Sequence, residues 1–227
     1  MPQFPKWCHL AQCTANFVKR GKKPHESKIF CIGFNKTGTT SLAKALAREG
    51  IHVGNQRRAE KLLPHYLAGD FDPIVDYCQS ARAFQDFPFS APETFVHLDR
   101  AFPQAKFILT IRNSSMTWLR SHLNFVRHRL GENADLETLK QSDYVWKSWS
   151  YEVHQGIFGR GVHFDDHEAK IRAYETHNAQ VQAHFALRPE QLLVIDLAQK
   201  HAFKAFQDFL QLTTKHQAFP WENATNQ

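Results

Sequence analysis

Cysteine is scarce in this 227-residue chain: Cys8, Cys13, Cys31 and Cys78 form no C-x-x-C pair and follow no regular spacing. No disulfide framework is implied, and Cys31, inside an apolar run, reads as a buried free thiol. Long hydrophobic runs are missing too. Mean hydropathy is −0.49, and no stretch approaches the ~20 apolar residues of a membrane-spanning helix. The opening Met1-Pro2-Gln3-Phe4-Pro5-Lys6 has none of the apolar character of a secretion signal, so a cytoplasmic protein without membrane insertion is expected. Internal repeats and low-complexity tracts are also absent.

What is present suits a globular chain rather than a disordered one. Hydrophobic residues make up 42% and aromatics 13%, carried mainly by 19 Phe, and a chain of this length buries a full core without a metal or disulfides. Lys and Arg number 28 against 22 Asp and Glu, a formal charge of +6. That surplus favours an anionic partner: a nucleic acid, a membrane surface or a small phosphorylated ligand. Residues 1–27 show no clear period and contain the basic, turn-prone Lys19-Arg20-Gly21-Lys22-Lys23-Pro24. They are expected to form an arm, its basic run a solvated linker rather than a nucleic-acid contact, leading into a single domain over 28–227.

Ile29-Phe30-Cys31-Ile32 predicts a parallel strand buried on both faces. A helix is expected from Ser41, with Leu42, Ala45, Leu46 and Glu49 on one face and Gly50 as its cap. Phe107-Ile108-Leu109-Thr110-Ile111 predicts a second strand ending at Arg112; Asn113, Ser114 or Ser115 would cap a helix whose apolar side carries Met116, Leu119, Leu123 and Val126. Leu192-Leu193-Val194-Ile195-Asp196 predicts a third, followed by an amphipathic helix through Phe203, Phe206, Phe209 and Leu210. Shorter strands are expected near His52-Val53 and Ala83-Phe84. The fold class is therefore α/β, a mainly parallel sheet flanked by helices. The rhythm breaks at about 130–170, where Tyr144, Trp146, Trp149 and Tyr151 precede the glycine-rich 156–161. Such an insertion covers a ligand site or forms a satellite helix pair on the core.

Gly33-Phe34-Asn35-Lys36-Thr37-Gly38-Thr39-Thr40 lies where a strand hands over to a helix N-terminus. Unsatisfied backbone N–H groups converge at such a point and bind phosphate, Gly38 admits the anion closely, and Thr39, Thr40 and Ser41 add hydroxyls. The Gly-x4-Gly spacing suits a nucleotide-hydrolysing P-loop, but Thr39-Thr40 stand where Lys and Ser/Thr are required. Asp196 is the only weak candidate for holding magnesium. An ordinary ATPase or GTPase is disfavoured.

These residues resemble a known family. Lys28 through Leu42 is similar to the 5′-phosphosulfate loop of sulfotransferases, which use 3′-phosphoadenosine-5′-phosphosulfate (PAPS) as donor. Ala105 through Arg112 resembles the family's second motif, in which a strand-end Arg holds the ribose 3′-phosphate. Asp86-Phe87-Pro88, Tyr174-Glu175-Thr176-His177-Asn178-Ala179-Gln180-Val181, Gln191 through Asp196 and Phe219-Pro220-Trp221-Glu222-Asn223 resemble segments of a small, mostly uncharacterised branch, in order. The resemblance implies a P-loop NTPase-like sulfotransferase fold, PAPS as donor with adenosine 3′,5′-bisphosphate as product, and no metal. It also implies a small-molecule or carbohydrate acceptor in place of nucleic acid. The family usually places a Ser eight residues after the Arg; here that residue is Arg120 and Ser121 is ninth. Either the helix starts a residue late and Ser121 serves, or Ser114 or Ser115 supplies the hydroxyl.

Sulfuryl transfer asks the protein to position its groups and to stabilise charge on the leaving oxygen. The resemblance gives Lys36 that role, with Asn35, Thr37, Gly38, Thr39, Thr40 and Ser41 around the 5′-phosphate and Arg112 with Ser121 at the 3′-phosphate. A general base must take the acceptor's proton. Asp86 is the first candidate, with His97, His122 and His177 as alternatives, although Asp86 could equally cap a helix after Pro88. His163-Phe164-Asp165-Asp166-His167-Glu168 lacks any zinc spacing, and Trp7, Trp118 and Trp221 read as core or rim aromatics. Two other readings stay open: an atypical P-loop kinase or other phosphotransferase, and a non-catalytic relative that binds nucleotide or nucleic acid.

Overall fold

The computed structural model describes residues 27–220. The 1–27 arm, apart from its last residue, and the closing residues from Trp221 onward lie outside the described residues, as do Trp7, Cys8 and Cys13.

Strand β1 (Ile29–Cys31) runs through the phosphate-type loop into helix α1 (Thr39–Arg48). Three short helices follow, α2 (Gln56–Glu60), α3 (Leu63–Ala68) and α4 (Asp72–Tyr77), before strand β2 (Ala83–Gln85) and α5 (Thr94–Ala101). Strand β3 (Lys106–Thr110) leads into α6 (Ser115–Leu130), α7 (Leu136–Gln141), α8 (Trp149–Phe158) and α9 (His167–His184). A 3₁₀ turn, Pro189–Gln191, then introduces β4 (Leu192–Ile195) and α10 (Ala202–Leu210).

The strands form one sheet in the order β2-β1-β3-β4, every pairing parallel. Alternation along β1 decides the layers, because successive side chains point to opposite faces. Phe30 joins Phe84, Phe89, Phe107 and Phe185 on one face. Ile29 and Cys31 join Leu42, Leu46, Ile108 and Phe206 on the other. Helices thus cover both faces, as a parallel sheet requires, and the expected α/β fold class holds. Cys31 is a buried free thiol, its ionisation pushed far up by that burial.

Four local expectations need correction. His52-Val53 is no strand: Val53 makes a single bridge to Ala83. The second strand spans 106–110, so Ile111 and Arg112 follow it rather than belonging to it. Helix α1 begins at Thr39, two residues before Ser41, because Gly38 at φ 103° makes the turn into it. On α6 the buried face is Trp118, Leu119, His122 and Leu123. Met116 is 55% exposed, because the helix turns its Trp118–His122 flank inward.

The 130–170 insertion contributes both helices and cavity wall. It builds α7 and α8 as a packed pair, and Tyr144, Trp149, Val153 and Phe158 wall a cavity. Asp166 caps α9 by accepting the Ala169 N–H at 2.8 Å, which accounts for part of the charged 163–168 stretch. Among the described residues no helix is long and apolar enough to cross a membrane, and no three His, Cys, Asp or Glu side chains cluster as metal ligands.

Candidate active site

The loop is fastened from behind by its own carbonyls. Thr37 Oγ1 donates to the Phe34 carbonyl at 2.5 Å and meets Thr110 Oγ1 at 2.6 Å. Trp118 Nε1 donates to the Asn35 carbonyl at 3.0 Å, and Arg112 Nε to the Lys36 carbonyl at 2.8 Å. In a trans peptide the N–H points opposite to the C=O. Each of these three carbonyls is tied to its own anchor, so the N–H groups of Asn35, Lys36 and Thr37 point away from those anchors. Helix α1 adds its own first-turn N–H groups, which Gly38 has no side chain to cap. The result is a cluster of donors with a positive helix end, suited to an anion.

One cavity of about 240 Å³ gathers most of the expected residues. Asn35, Lys36 and Gly38 line it from the loop, Thr39, Thr40 and Ser41 from the start of α1, Arg112 from just after β3, Ser121 from α6, and Asp86 from the turn after β2. Thr37 stands apart. Its side chain is buried in the loop's own bonds and does not face the cavity, which leaves only its N–H for a ligand. Ser121 lines the cavity while Arg120 is exposed, and Ser114 is engaged in capping α6 through Thr117 N at 3.1 Å. Of the three candidate serines, Ser121 is the one that lines the cavity.

Lys36 belongs to the loop itself, and Arg112 reaches the loop from just after β3. Lys36 sits at φ 68° with its Nζ 4.2 Å from the Phe125 ring centroid. Burial lowers its pKa, the Arg112 charge lowers it further, and Asp86 opposes both. Arg112 follows β3, and its backbone N–H donates to the Tyr174 hydroxyl at 3.0 Å. Its bonds go to neutral oxygens, and among the described residues no carboxylate pairs with it, so it is not the partner of a structural ion pair there.

Asp86 follows β2 at φ 60° and accepts the Phe87 N–H on Oδ1 at 2.8 Å. Burial raises its pKa, while that hydrogen bond and the Lys36 charge hold it down. It caps this turn and not a helix: α5 begins only at Thr94, behind Glu93. Among the alternative bases, His97 stacks on Phe71 at 3.8 Å and His177 bonds the Ile32 carbonyl at 2.8 Å; neither lines the cavity. His122 does line it, packed on Trp118, and burial pushes its pKa down to about 3. An imidazole that weakly basic is a poor proton acceptor.

Beyond Asp86 the cavity turns apolar and aromatic, with Phe87, Trp149, Ile157 and Phe158 among its walls. Three ionisable lining residues went unnoticed in the sequence: Glu60, Arg129 and His154. No local signal marks them. Glu60 ends a short charged helix whose sequence reads as a solvated surface, and only folding sets it against Tyr144. The arrangement joins an anion cradle, two cations, a carboxylate with raised pKa and an apolar chamber. It can position an anionic group donor beside an acceptor molecule and take up a proton there.

The curated proteins contain no match to this chain. A family model described as a sulfotransferase domain matches residues 28–227, which include the whole loop, Asp86, Arg112 and every strand of the sheet. The chain belongs to the sulfotransferase family.

Proposed function

We propose that this chain transfers a sulfuryl group from PAPS to a hydroxyl or amine of a small acceptor. One observation carries the reading: the loop, Lys36, Arg112, Ser121 and Asp86 line a single cavity that continues into an apolar chamber. In this reading the N–H groups of 37–40, with the Thr39 and Thr40 hydroxyls, hold the 5′-phosphate. Lys36 neutralises the bridging oxygen as the bond to sulfur breaks. Arg112 and Ser121 hold the 3′-phosphate; the guanidinium keeps its Nη donors for that fork because only Nε binds the loop. Asp86 takes the acceptor proton as the new bond to sulfur forms. A kinase reading draws less support, since Asp196, its weak magnesium candidate, accepts the Ala198 N–H at 3.0 Å and does not line the cavity.

Calorimetric titration with adenosine 3′,5′-bisphosphate, beside ATP with magnesium, tests the reading. The bisphosphate is expected to bind preferentially, and Arg112→Ala to weaken it by at least about thirtyfold, the loss of a charged bidentate contact. With labelled PAPS, Lys36→Ala should abolish turnover of any acceptor while bisphosphate binding persists. Preference for ATP with magnesium would replace the sulfotransferase reading with the kinase, and binding of neither would leave a non-catalytic relative.

A further inference from the structure

Lys36 and Asp86 bring opposite charges into one cavity, and each shifts the other's ionisation towards the charged form. They nevertheless do not meet: among the described residues the Lys36 ammonium donates no hydrogen bond and pairs with no carboxylate. What it touches is the Phe125 ring, 4.2 Å from the centroid. The face of an aromatic ring carries the negative side of its quadrupole, so it holds a cation while accepting no proton. Helix α6 sets the ring there, lining the cavity with Ser121, His122, Phe125 and Arg129 at helical spacing. The Arg129 guanidinium lies 5.5 Å from the same centroid and 4.2 Å from that of Tyr144, so Phe125 serves two cations.

The charges around the pair favour its collapse. Arg112 disfavours the Lys36 ammonium, a penalty that contact with a carboxylate would relieve. Glu60, paired with Arg57 at 3.0 Å and bonded by the Tyr144 hydroxyl, still adds negative charge near Asp86. His122 and His154, the imidazoles of the cavity wall, have pKa values pushed down to about 3 and about 4, so they stay neutral and oppose nothing. Opposite charges away from bulk water attract strongly. The group in contact with the ammonium, and so the one that competes for it, is the Phe125 ring.

We propose that Phe125 is a positioning residue whose ring holds the Lys36 ammonium apart from Asp86, so that lysine and carboxylate enter the reaction as separate groups. The inference rests on the proposed function, which gives the two groups separate tasks: Lys36 serves the bridging oxygen and Asp86 takes the acceptor proton. A carboxylate already paired with an ammonium is a weaker base, and that ammonium is engaged before the donor arrives. A contact with a ring face yields readily to a phosphate oxygen, because a charge-assisted hydrogen bond is the stronger interaction.

Carboxyl carbon NMR of the full chain tests this without an acceptor, the Asp86 resonance being assigned by its loss in Asp86→Asn. In Phe125→Leu the Asp86 midpoint is expected to fall by about one pH unit, tenfold in its ionisation constant, as an opposite charge comes into contact. Phe125→Tyr keeps a ring face and should leave the midpoint in place. Water admitted by the smaller side chain would also lower the midpoint, so the comparison is repeated in Lys36→Met. Pairing predicts that Phe125→Leu then shifts Asp86 no further, whereas hydration predicts the same fall. The wild type gives a second measurement should Phe125→Leu not fold: the ring current should move the Lys36 ε-methylene protons upfield of ordinary lysine, assigned with Lys36→Met. An Asp86 midpoint unmoved in Phe125→Leu, a fall that persists in Lys36→Met, or an ordinary Lys36 resonance would each overturn the inference and leave the donor reading intact. Failure of the wild type to bind adenosine 3′,5′-bisphosphate would overturn the donor reading, and with it the purpose assigned to the separation.

Discussion

Lys36 and Asp86 are both non-glycine residues held in the left-handed region, at φ 68° and 60°, and both face the same cavity. Such conformations cost on the order of 1–3 kcal/mol each and persist only where the surroundings impose them. Here Arg112 Nε fixes the Lys36 carbonyl, while Asp86 accepts the Phe87 N–H on its side chain and the Ser90 N–H on its carbonyl. Both side chains are aimed by backbone that has little freedom to relax. The consequence for pH follows from Asp86. Burial raises its pKa from an ordinary 3.8, although the Phe87 N–H and Lys36 restrain the rise. A base works ionised, so turnover should fall as pH drops through that raised value, placing the acid limb of kcat/KM above the ordinary aspartate range. Asp86→Asn keeps an oxygen for the Phe87 N–H but cannot take a proton. A drop of about 10²–10⁴-fold in kcat with loss of the acid limb is expected. Full turnover with the limb retained would remove Asp86 from the proton path.

The pairing of β1 with β3 places the loop, and Gly33, two residues past β1, lies directly against Thr110 at the end of β3. A Cβ there would lie 2.2 Å from the Thr110 carbonyl oxygen and 2.3 Å from its hydroxyl. The first is backbone and cannot step aside, and the second is the hydroxyl that bonds Thr37. Gly33→Ala must therefore separate the strands or break the loop's anchor. A loss of about 2–4 kcal/mol is expected from that overpacking, read as a lower urea midpoint, with bisphosphate binding weakened alongside. Unchanged stability would mean that the crossing is looser than its geometry implies. This level of organisation is the one that the sequence expresses best. Ile29–Cys31, Lys106–Thr110 and Leu192–Ile195 are short apolar runs because a parallel strand covered on both faces admits little else. Lys36, Gly38 and Arg112 were legible for a related reason, since strand ends and helix starts confine them to one edge of the sheet. Helix α6 shows where legibility fades: Trp118 and His122 are buried while Met116 is exposed, a rotation settled by Phe34 and Tyr174, which are distant in sequence. Glu60 was not legible at all, because its partner Tyr144 stands 84 residues away. Thr37 was legible as a loop residue but not as an inward-facing anchor, a role that depends on Thr110 across the sheet.

At the scale of the whole molecule, three histidines join the site to the stability of the fold. His122, His154 and His177 are 8%, 5% and 1% exposed. Burial pushes their pKa values down to about 3, about 4 and about 4 from an ordinary 6.5, helped for His122 and His154 by the Lys170 charge. His177 carries α9 to the end of β1 through the Ile32 carbonyl, and His122 packs between Trp118 and Phe158 behind the chamber. The sign is fixed by which state binds protons. Between pH 6.5 and about 4 the unfolded imidazoles protonate and the folded ones do not, so stability falls as pH falls, by on the order of 3 kcal/mol for each fully depressed histidine. Asp99 loses its contribution only at lower pH: burial alone would raise it, but Arg188 and His184 hold it below 3.8. Asp86 and Glu60, both raised by burial, act in the opposite sense near the carboxylate range. The window from 6.5 to about 4 therefore belongs chiefly to the histidines. The melting temperature should fall steeply across it. His122→Phe keeps the ring stack and removes the buried Nδ1 that has no partner; it should flatten that slope by about one proton. A melting temperature flat over this range would show that the imidazoles protonate inside the fold at no cost. The chamber would then gain positive charge on acidification, whereas buried neutral imidazoles keep its deep wall uncharged until the fold itself gives way.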